Sequence, residues 1–413
     1  MEEVAIIGGG IGGLTFALEL HSRGIPFRVY EAAPEFRPLG VGLNLLPHAV
    51  RTLTRLGLVD TLLEHGIETR EYRFYTRNGQ LVQTELRGRY ADLPFPQISI
   101  HRGDFHGALF DAVRERCGED AIVFDRSATH VAQDDDAAII SFKSTSTNAA
   151  VEPIRATIAI SCDGVHSVAR EQFHPDEAKP RYEGTMQYRG VTRWPPFLGG
   201  NTMLYFGTQK LGVAIIYPIR DSIDEDGRQL INWVVELERP DASTRRVWNE
   251  ESSIDNFIEN FKDANFDFLN IEEMMKAADL VFQYPMVDQD PLTRWTEGRI
   301  TLLGDAAHPM MPRGSNGGAQ AIIDATTLAE LLETRDDWVE ALVEYERIRL
   351  AATSGVVMAA RGKSPDAILR VVEERTEGKP FERIEDVVSK EEMLEWQARY
   401  KRIAGFTHKD LTT

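Results

Sequence analysis

Val4-Ala-Ile-Ile-Gly8-Gly-Gly10-Ile-Gly-Gly13-Leu-Thr-Phe-Ala-Leu18-Glu-Leu20 reads as a short strand that breaks into glycines and resumes as a helix. The helical spacing runs out near Gly24, and Phe27 to Tyr30 follows as a second strand ending at Glu31. Glu31 lies 31 − 8 = 23 residues after the first glycine, where a dinucleotide fold places a carboxylate to accept hydrogen bonds from a ribose. In such a fold Gly8 makes the tight turn, Gly10 lets backbone approach a pyrophosphate, and Gly13 allows close helix packing, with the helix N-terminus facing the phosphate charge. A start at residue 4 leans towards FAD over NAD, but the glycines alone do not choose.

Outward from that motif, 413 residues exceed one ordinary domain of about 150, which implies two or three domains. The 46 basic and 65 acidic residues give a net charge of −19, a field that repels nucleic acid and anionic lipid. Acidic runs such as Asp134-Asp135-Asp136 read as solvated loops, and no metal is expected. Two cysteines, Cys117 and Cys162, cannot build a disulfide framework, and the Met-Glu-Glu start lacks the basic region of a secretory signal. No apolar stretch reaches the roughly 20 residues of a membrane span. Cytoplasmic localisation, no integral membrane segment, and a monomer or homodimer are expected.

Two more runs end in acids. Thr157 to Cys162 stops at Asp163-Gly164, and Ile300 to Leu303 stops at Gly304-Asp305. Open α/β sheets bind ligands at the carboxyl ends of their strands, so both acids are candidates, although each could equally cap a nearby helix. The stretch from Gly304 to Gly318, GDAAHPMMPRGSNGG, is small and backbone-exposing and leads into a helix from Ala319. Its amides and helix N-terminus suit a planar ligand that gains negative charge.

GGGIGG with Glu31, the CDGVHSVAR segment and GDAAHPMMPRGSNGGAQAIIDA together resemble the class A flavoprotein monooxygenases, the group of para-hydroxybenzoate and salicylate hydroxylases. The resemblance runs in order over roughly the first 360 residues. Gly40 to Pro47, Tyr188 to Thr192, Ser364 to Leu369 and Lys379 to Asp386 look most like the phenazine-type branch. It implies FAD held by Gly8, Gly10, Gly13, Glu31, Val41, Arg102, Asp163 and Asp305, with Pro312, Gly314, Asn316, Gly317 and Gly318 lining the isoalloxazine. It also implies NAD(P)H as a transient co-substrate, consistent with the single GxGxxG. O2 would react to give a flavin hydroperoxide that passes oxygen to an electron-rich aromatic or N-heteroaromatic ring, with decarboxylation where that carbon bears a carboxylate.

The sequence departs from the pattern at Pro47-His48-Ala49, where salicylate-type members usually carry Pro-Asn-Ala, and lacks the histidine that many members place shortly before Tyr-Pro, here Tyr217-Pro218. No catalytic base can be borrowed, and the candidates that would touch substrate are Tyr217, Tyr205, His48 and, as an anchor for an acidic group, Arg189. His308 reads as a support of its loop. Trp194, Tyr205 and Phe206 could clasp a flat ring or pack a core.

The expected fold is α/β: a discontinuous Rossmann-like FAD-binding domain (1–75, 100–180, 286–360), an inserted, mostly antiparallel β-sheet substrate domain (76–99, 181–285) and a helical tail (361–413). Thr202 to Phe206, Val213 to Ile219 and Gln229 to Glu238 are its expected strands, and one long helix should run from Thr326 past Tyr345. Ser364-Pro365 and Ser389-x-x-Glu392 mark helix starts in the tail. A flavin halogenase is disfavoured, since Trp-x-Trp-x-Ile-Pro is missing. A non-catalytic flavoprotein that sequesters an aromatic ligand is the alternative.

Overall fold

The computed structural model describes residues 2–37, 40–178, 180–208, 211–240, 250–262, 264–361 and 367–395. Glu2–Ile7 forms the centre of a mainly parallel sheet between Phe27–Tyr30 and Ala150–Ser161. Ile122–Val123 and Ile300–Leu302 extend it in parallel on either side. The register levels the strand ends: Ile7 pairs with Tyr30 and with Ser161, and Ser161 pairs with Leu302. Gly8, Glu31, Asp163 and Asp305 therefore emerge within three residues of one sheet edge.

A second sheet runs, in spatial order, Glu250–Glu251, Val281–Asp288, Arg181–Trp194, Gln229–Glu238, Gly212–Arg220, Thr202–Thr208, Glu71–Tyr75 and Leu81–Leu86. All neighbours are antiparallel except Thr202–Thr208 against Glu71–Tyr75. One face buries Ile231, Trp233, Val235 and Leu237 against Phe257, Phe261, Ile271 and Met274. The opposite face packs Tyr72, Met203, Tyr205 and Tyr217 against Ile368, Leu369 and Val372 of the tail helix Ala367–Thr376. A small sheet of Gly42–Leu45, Ile67–Glu68 and Ile98–His101 lies at the junction.

Several sequence expectations are corrected. Glu71–Tyr75, assigned to the FAD-binding segment, belongs to the second sheet, because its two-sided burial is met by Thr202–Phe206 on one edge and Leu81–Leu86 on the other. Val281–Asp288 likewise lies wholly in that sheet, across the expected boundary at 285. The single long helix is two, Asn316–Thr334 and Trp338–Ala360, because Arg335 is extended and the Asp337 carboxylate caps the second by accepting from the amides of Val339 (2.8 Å) and Glu340 (3.3 Å). In the tail, Ser389 and Glu392 exchange the expected capping-box bonds at 3.0 and 3.2 Å. Ser364-Pro365 lies outside the described residues. Among those described, no helix is long and apolar enough to cross a membrane.

Candidate active site

Three glycines at the sheet edge serve different neighbours. Gly8 has φ +105°, and a Cβ there would sit 2.6 Å from the Cys162 carbonyl oxygen; one on Gly13 would sit 2.0 Å from the Gly8 oxygen. These two are demanded by the protein's own packing. A Cβ on Gly10 would meet nothing within 4 Å, so that glycine keeps open a space the protein does not fill. Helix Ile11–Ser22 starts at Gly10 with no side-chain cap and no acid in its first turn, leaving its leading amides to an anion.

Glu31 accepts from the amides of Gly9 (2.6 Å) and Ala33 (2.7 Å), which points its carboxylate across the glycine loop. From the opposite side the ring of His106 donates to the Gly9 carbonyl at 2.7 Å. Burial, helped by the charge of Arg102, pushes His106 below its usual pKa against the pull of that bond, so the brace is a neutral imidazole. Sequence reasoning missed His106; its one signal is its place one turn after Arg102 on helix Arg102–Cys117. Arg102 itself is exposed, and its amide donates to Val41 at 2.9 Å, which ties two of the expected FAD contacts together.

The remaining acids divide. Asp305 is exposed between buried Gly304 and Ala306, and a Cβ on Gly317 would come within 3.9 Å of its Oδ1, so it faces the start of helix Asn316–Thr334. Asp163 is occupied locally: it accepts from Ser161 Oγ at 2.5 Å and from the Val168 amide at 3.0 Å. Burial raises the Asp163 pKa against those bonds. Arg170 is buried and donates to the carbonyls of Ala306 (2.8 Å) and Ala307 (3.0 Å), while Glu177 holds its other edge. The CDGVHSVAR segment thus supports the Asp305 loop from below. His308 meets Asp324 at 2.5 Å inside the core, and Arg349 donates to the same carboxylate at 2.7 Å. Burial disfavours that carboxylate, but His308 and Arg349 outweigh it and hold Asp324 below its usual pKa. His308 is a structural support, as expected.

The Pro312 to Gly318 loop turns sharply. Gly314 (φ +71°) and Ser315 (φ +57°) are both left-handed, and helix Asn316–Thr334 begins with neither a side-chain cap nor an acid in its first turn. A Cβ on Gly318 would again meet nothing within 4 Å. Two helix starts without side-chain caps therefore lie at the same sheet edge, and together with Glu31 and Asp305 they fit FAD: amides for its phosphates and ring edge, carboxylates for its hydroxyls.

Against strand Gly42–Leu45, next to this edge, stands the second sheet. Arg189 Nη2 donates to the Gly42 carbonyl at 2.9 Å and Asn232 Oδ1 accepts from the Gly42 amide at 2.7 Å, so strand Gly42–Leu45 is gripped from the sheet face. A Cβ on Gly42 would strike Asn232 at 2.7 Å, which is why this position is glycine. Tyr217 pairs in register with Asn232 and is hydrogen-bonded to Arg189 and Asn44. Burial raises the Tyr217 pKa, outweighing the opposing Arg189 charge, so its phenol, which accepts from Arg189, keeps its own proton at neutral pH and is no base. Asn44 also reaches Ser315 Oγ at 3.5 Å, joining sheet and loop.

Comparison with known proteins matches residues 1–360 to the FAD binding domain family. The chain belongs to that family. It is 39% identical to the phenazine 1,6-dicarboxylic acid hydroxylase PhzS of Lysobacter antibioticus, over 87% of this chain and 89% of that protein. It is 31% identical to the 6-hydroxynicotinate 3-monooxygenase of Pseudomonas fluorescens, over 80% and 82%. Among solved structures, Klebsiella pneumoniae HpxO complexed with FAD and uric acid superposes with a TM-score of 0.72 at 22% identity, covering 98% of this chain and 94% of that one, which shows a shared fold. The chain is a FAD-dependent aromatic hydroxylase, a flavoprotein monooxygenase of a class that typically consumes NAD(P)H.

In this hydroxylase the remaining expected site residues scatter. Tyr205 is buried and stacked on Phe74 with ring centroids 5.2 Å apart, under the tail, so its ring serves packing. Phe206 and Trp194 pack on the opposite sheet face and cannot clasp a ring over the opening. His48 is buried on the first turn of helix Pro47–Arg55; four residues on, Thr52 meets Thr326 at 2.9 Å, which directs that side of the helix towards Asn316–Thr334. Of the four candidates for substrate contact, the structure brings together Arg189 and Tyr217.

Proposed function

We propose that the hydroxylase acts on a flat, N-heteroaromatic carboxylic acid held between the Arg189–Tyr217 pair and the FAD opening. The observation that carries this reading is that pair: a guanidinium, partly buried and fixed on Gly42, beside the buried phenol that it meets. In a protein of net charge −19, an anionic substrate needs a locally placed cation, and Arg189 supplies it. Tyr217 would donate to a ring hydroxyl or ring nitrogen and orient the carbon to be attacked. Both relatives named above act on nitrogen heterocycles whose names carry acid groups, in line with this choice. FAD, when bound, supplies the activation of O2.

Gly8, Gly10, Gly13, Glu31 and Asp305 would hold FAD at the sheet edge, with Val41, Arg102 and the Pro312 to Gly318 loop around its ring. Asp163 acts one step removed, through the loop it shapes. The tail helix Ala367–Thr376, packed on the Tyr217 face, would help to exclude water. The same reading divides the chain into a discontinuous FAD-binding part and an inserted sheet, in the cytoplasm.

The test is a set of pyridine, quinoline and phenazine carboxylates beside the same rings without carboxylate, assayed for NAD(P)H oxidation and hydroxylated product. Stimulation and product confined to the acids, lost in Arg189→Met, support the reading. Equal turnover of the uncharged rings, or peroxide as the only product, overturns it.

A further inference from the structure

The sharp loop before helix Asn316–Thr334 carries a charge whose partners lie in the other sheet. Arg313 is 7% exposed. Its Nη1 donates to Glu183 Oε1 at 2.7 Å, and its Nη2 stands 3.7 Å from Glu236 Oε2. Glu236 is itself buried and accepts from Gln187 at 3.1 Å, so it is fixed in the middle of the sheet between strands Arg181–Trp194 and Gly212–Arg220. One guanidinium thus bridges a loop of the cofactor side to two carboxylates of the substrate side.

Such a buried cluster is a poor source of stability, since desolvation offsets most of the attraction; its value lies in fixing geometry. The geometry that needs fixing is adjacent. Gly314 and Ser315 are both left-handed, and Ser315 is not a glycine, so the turn holds conformational strain that surrounding contacts must support. Beyond it lies the start of helix Asn316–Thr334, which has no side-chain cap and fits FAD. The Asn44–Ser315 contact at this turn is long at 3.5 Å, whereas the Arg313–Glu183 bond is short, charged and part-buried.

We propose that Arg313 is a positioning residue: its ion pairs with Glu183 and Glu236 hold the Gly314-Ser315 turn in place, so the substrate sheet sets the aim of the amides that receive FAD. The proposal rests on the assignment of the Pro312 to Gly318 loop to FAD. It names a path by which an occupant of the sheet, by moving Glu236 or its neighbour Gln187, changes the surroundings of FAD without touching it.

The experiment measures FAD affinity by titrating deflavinated enzyme, and the flavin midpoint potential by spectroelectrochemistry, for wild type, Arg313→Met, Arg313→Lys, Glu183→Gln and Glu236→Gln. Arg313→Met is expected to weaken FAD binding by about tenfold or more and to lower the midpoint potential, since the amides that stabilise reduced flavin lose their aim. Lysine, a point charge without a fork, should restore part of the affinity. Glu183→Gln should fall between wild type and Arg313→Met, and a variant carrying both Glu183→Gln and Arg313→Met should be no worse than Arg313→Met alone. Should Arg313→Met fail to fold, the two Glu→Gln variants carry the test, because they are near-isosteric and leave Arg313 one partner. Unchanged affinity and potential in folded Arg313→Met, or in both Glu→Gln variants, overturns the proposal. A wild-type protein that binds no FAD would instead overturn the cofactor assignment beneath it. Tyr217→Phe, expected to alter turnover but not FAD affinity, separates the two.

Discussion

The two sheets of this molecule solve recognition in different ways. At the edge of the parallel sheet the proposed reading gives the work to backbone: amides of two helices without side-chain caps, glycines that leave room, and carboxylates that end strands. On the face of the antiparallel sheet the proposed reading gives it to side chains, Arg189, Tyr217 and Asn232, that come from different strands and meet across the ladder. Backbone recognition restricts residue type at fixed spacings and so leaves a motif. Side-chain recognition across strands leaves none, because a period-2 strand tolerates almost any residue on its ligand face.

The sharpest break of that contrast is Gly13→Ala. The new methyl would need space 2.0 Å from the Gly8 oxygen, and loop and helix must part. FAD retention on gel filtration should fall by about a hundredfold or more in affinity, with a loss of some 1–3 kcal/mol in unfolding free energy. Full FAD content in this variant would show that the glycine loop is not the cofactor's seat.

Asp324→Asn tests whether the edge depends on the core beneath it. Breaking the buried pairs with His308 and Arg349 should cost about 3 kcal/mol in denaturant unfolding at pH 7. The sign of the pH dependence follows from the lowered native pKa of Asp324. The wild-type advantage is full above the unfolded carboxylate value of about 3.9 and is lost as pH falls through the lower native value. An advantage that grows on acidification would contradict the assignment.

Asp305→Ala should weaken FAD by roughly tenfold, the loss of one hydrogen-bonded carboxylate, with little change in unfolding because that side chain is exposed. Equilibrium titration of deflavinated protein measures it, and unchanged affinity would move the FAD hydroxyls elsewhere. On the other sheet, Arg189→Met should raise KM for a carboxylated ring by about tenfold and leave FAD affinity alone. A loss of FAD there would mean that the two sheets do not divide the task as described. The mildest change is expected from His106→Gln, whose amide can still donate to Gly9: FAD affinity should fall by less than about threefold.

The parts legible in the sequence follow this same division. Gly8 to Gly13, Glu31 and Asp305 were recognisable because a strand end, a turn and a helix start are local events with local residue preferences. Asp163 was recognisable as a strand-ending acid, and its local bonds are the alternative that such a position always allows. Strand Glu71–Tyr75 was misplaced because its sheet is chosen by a parallel partner about 130 residues away. His106, Asn232 and Arg313 were overlooked because each gains its meaning only from a partner in another segment: Gly9, Gly42 and Glu183.

By itself, then, the sequence determined the glycine-bearing sheet edge, the helix that starts there and the class of chemistry, since backbone conformation and strand termination are written in neighbouring residues. Only the tertiary structure decided which side chains face the opening. Tyr205 and Tyr217 are both aromatic and both buried, yet one stacks on Phe74 while the other meets Arg189 and Asn44. That difference arises from which strand lies alongside, a matter of long-range register and packing that no local pattern encodes.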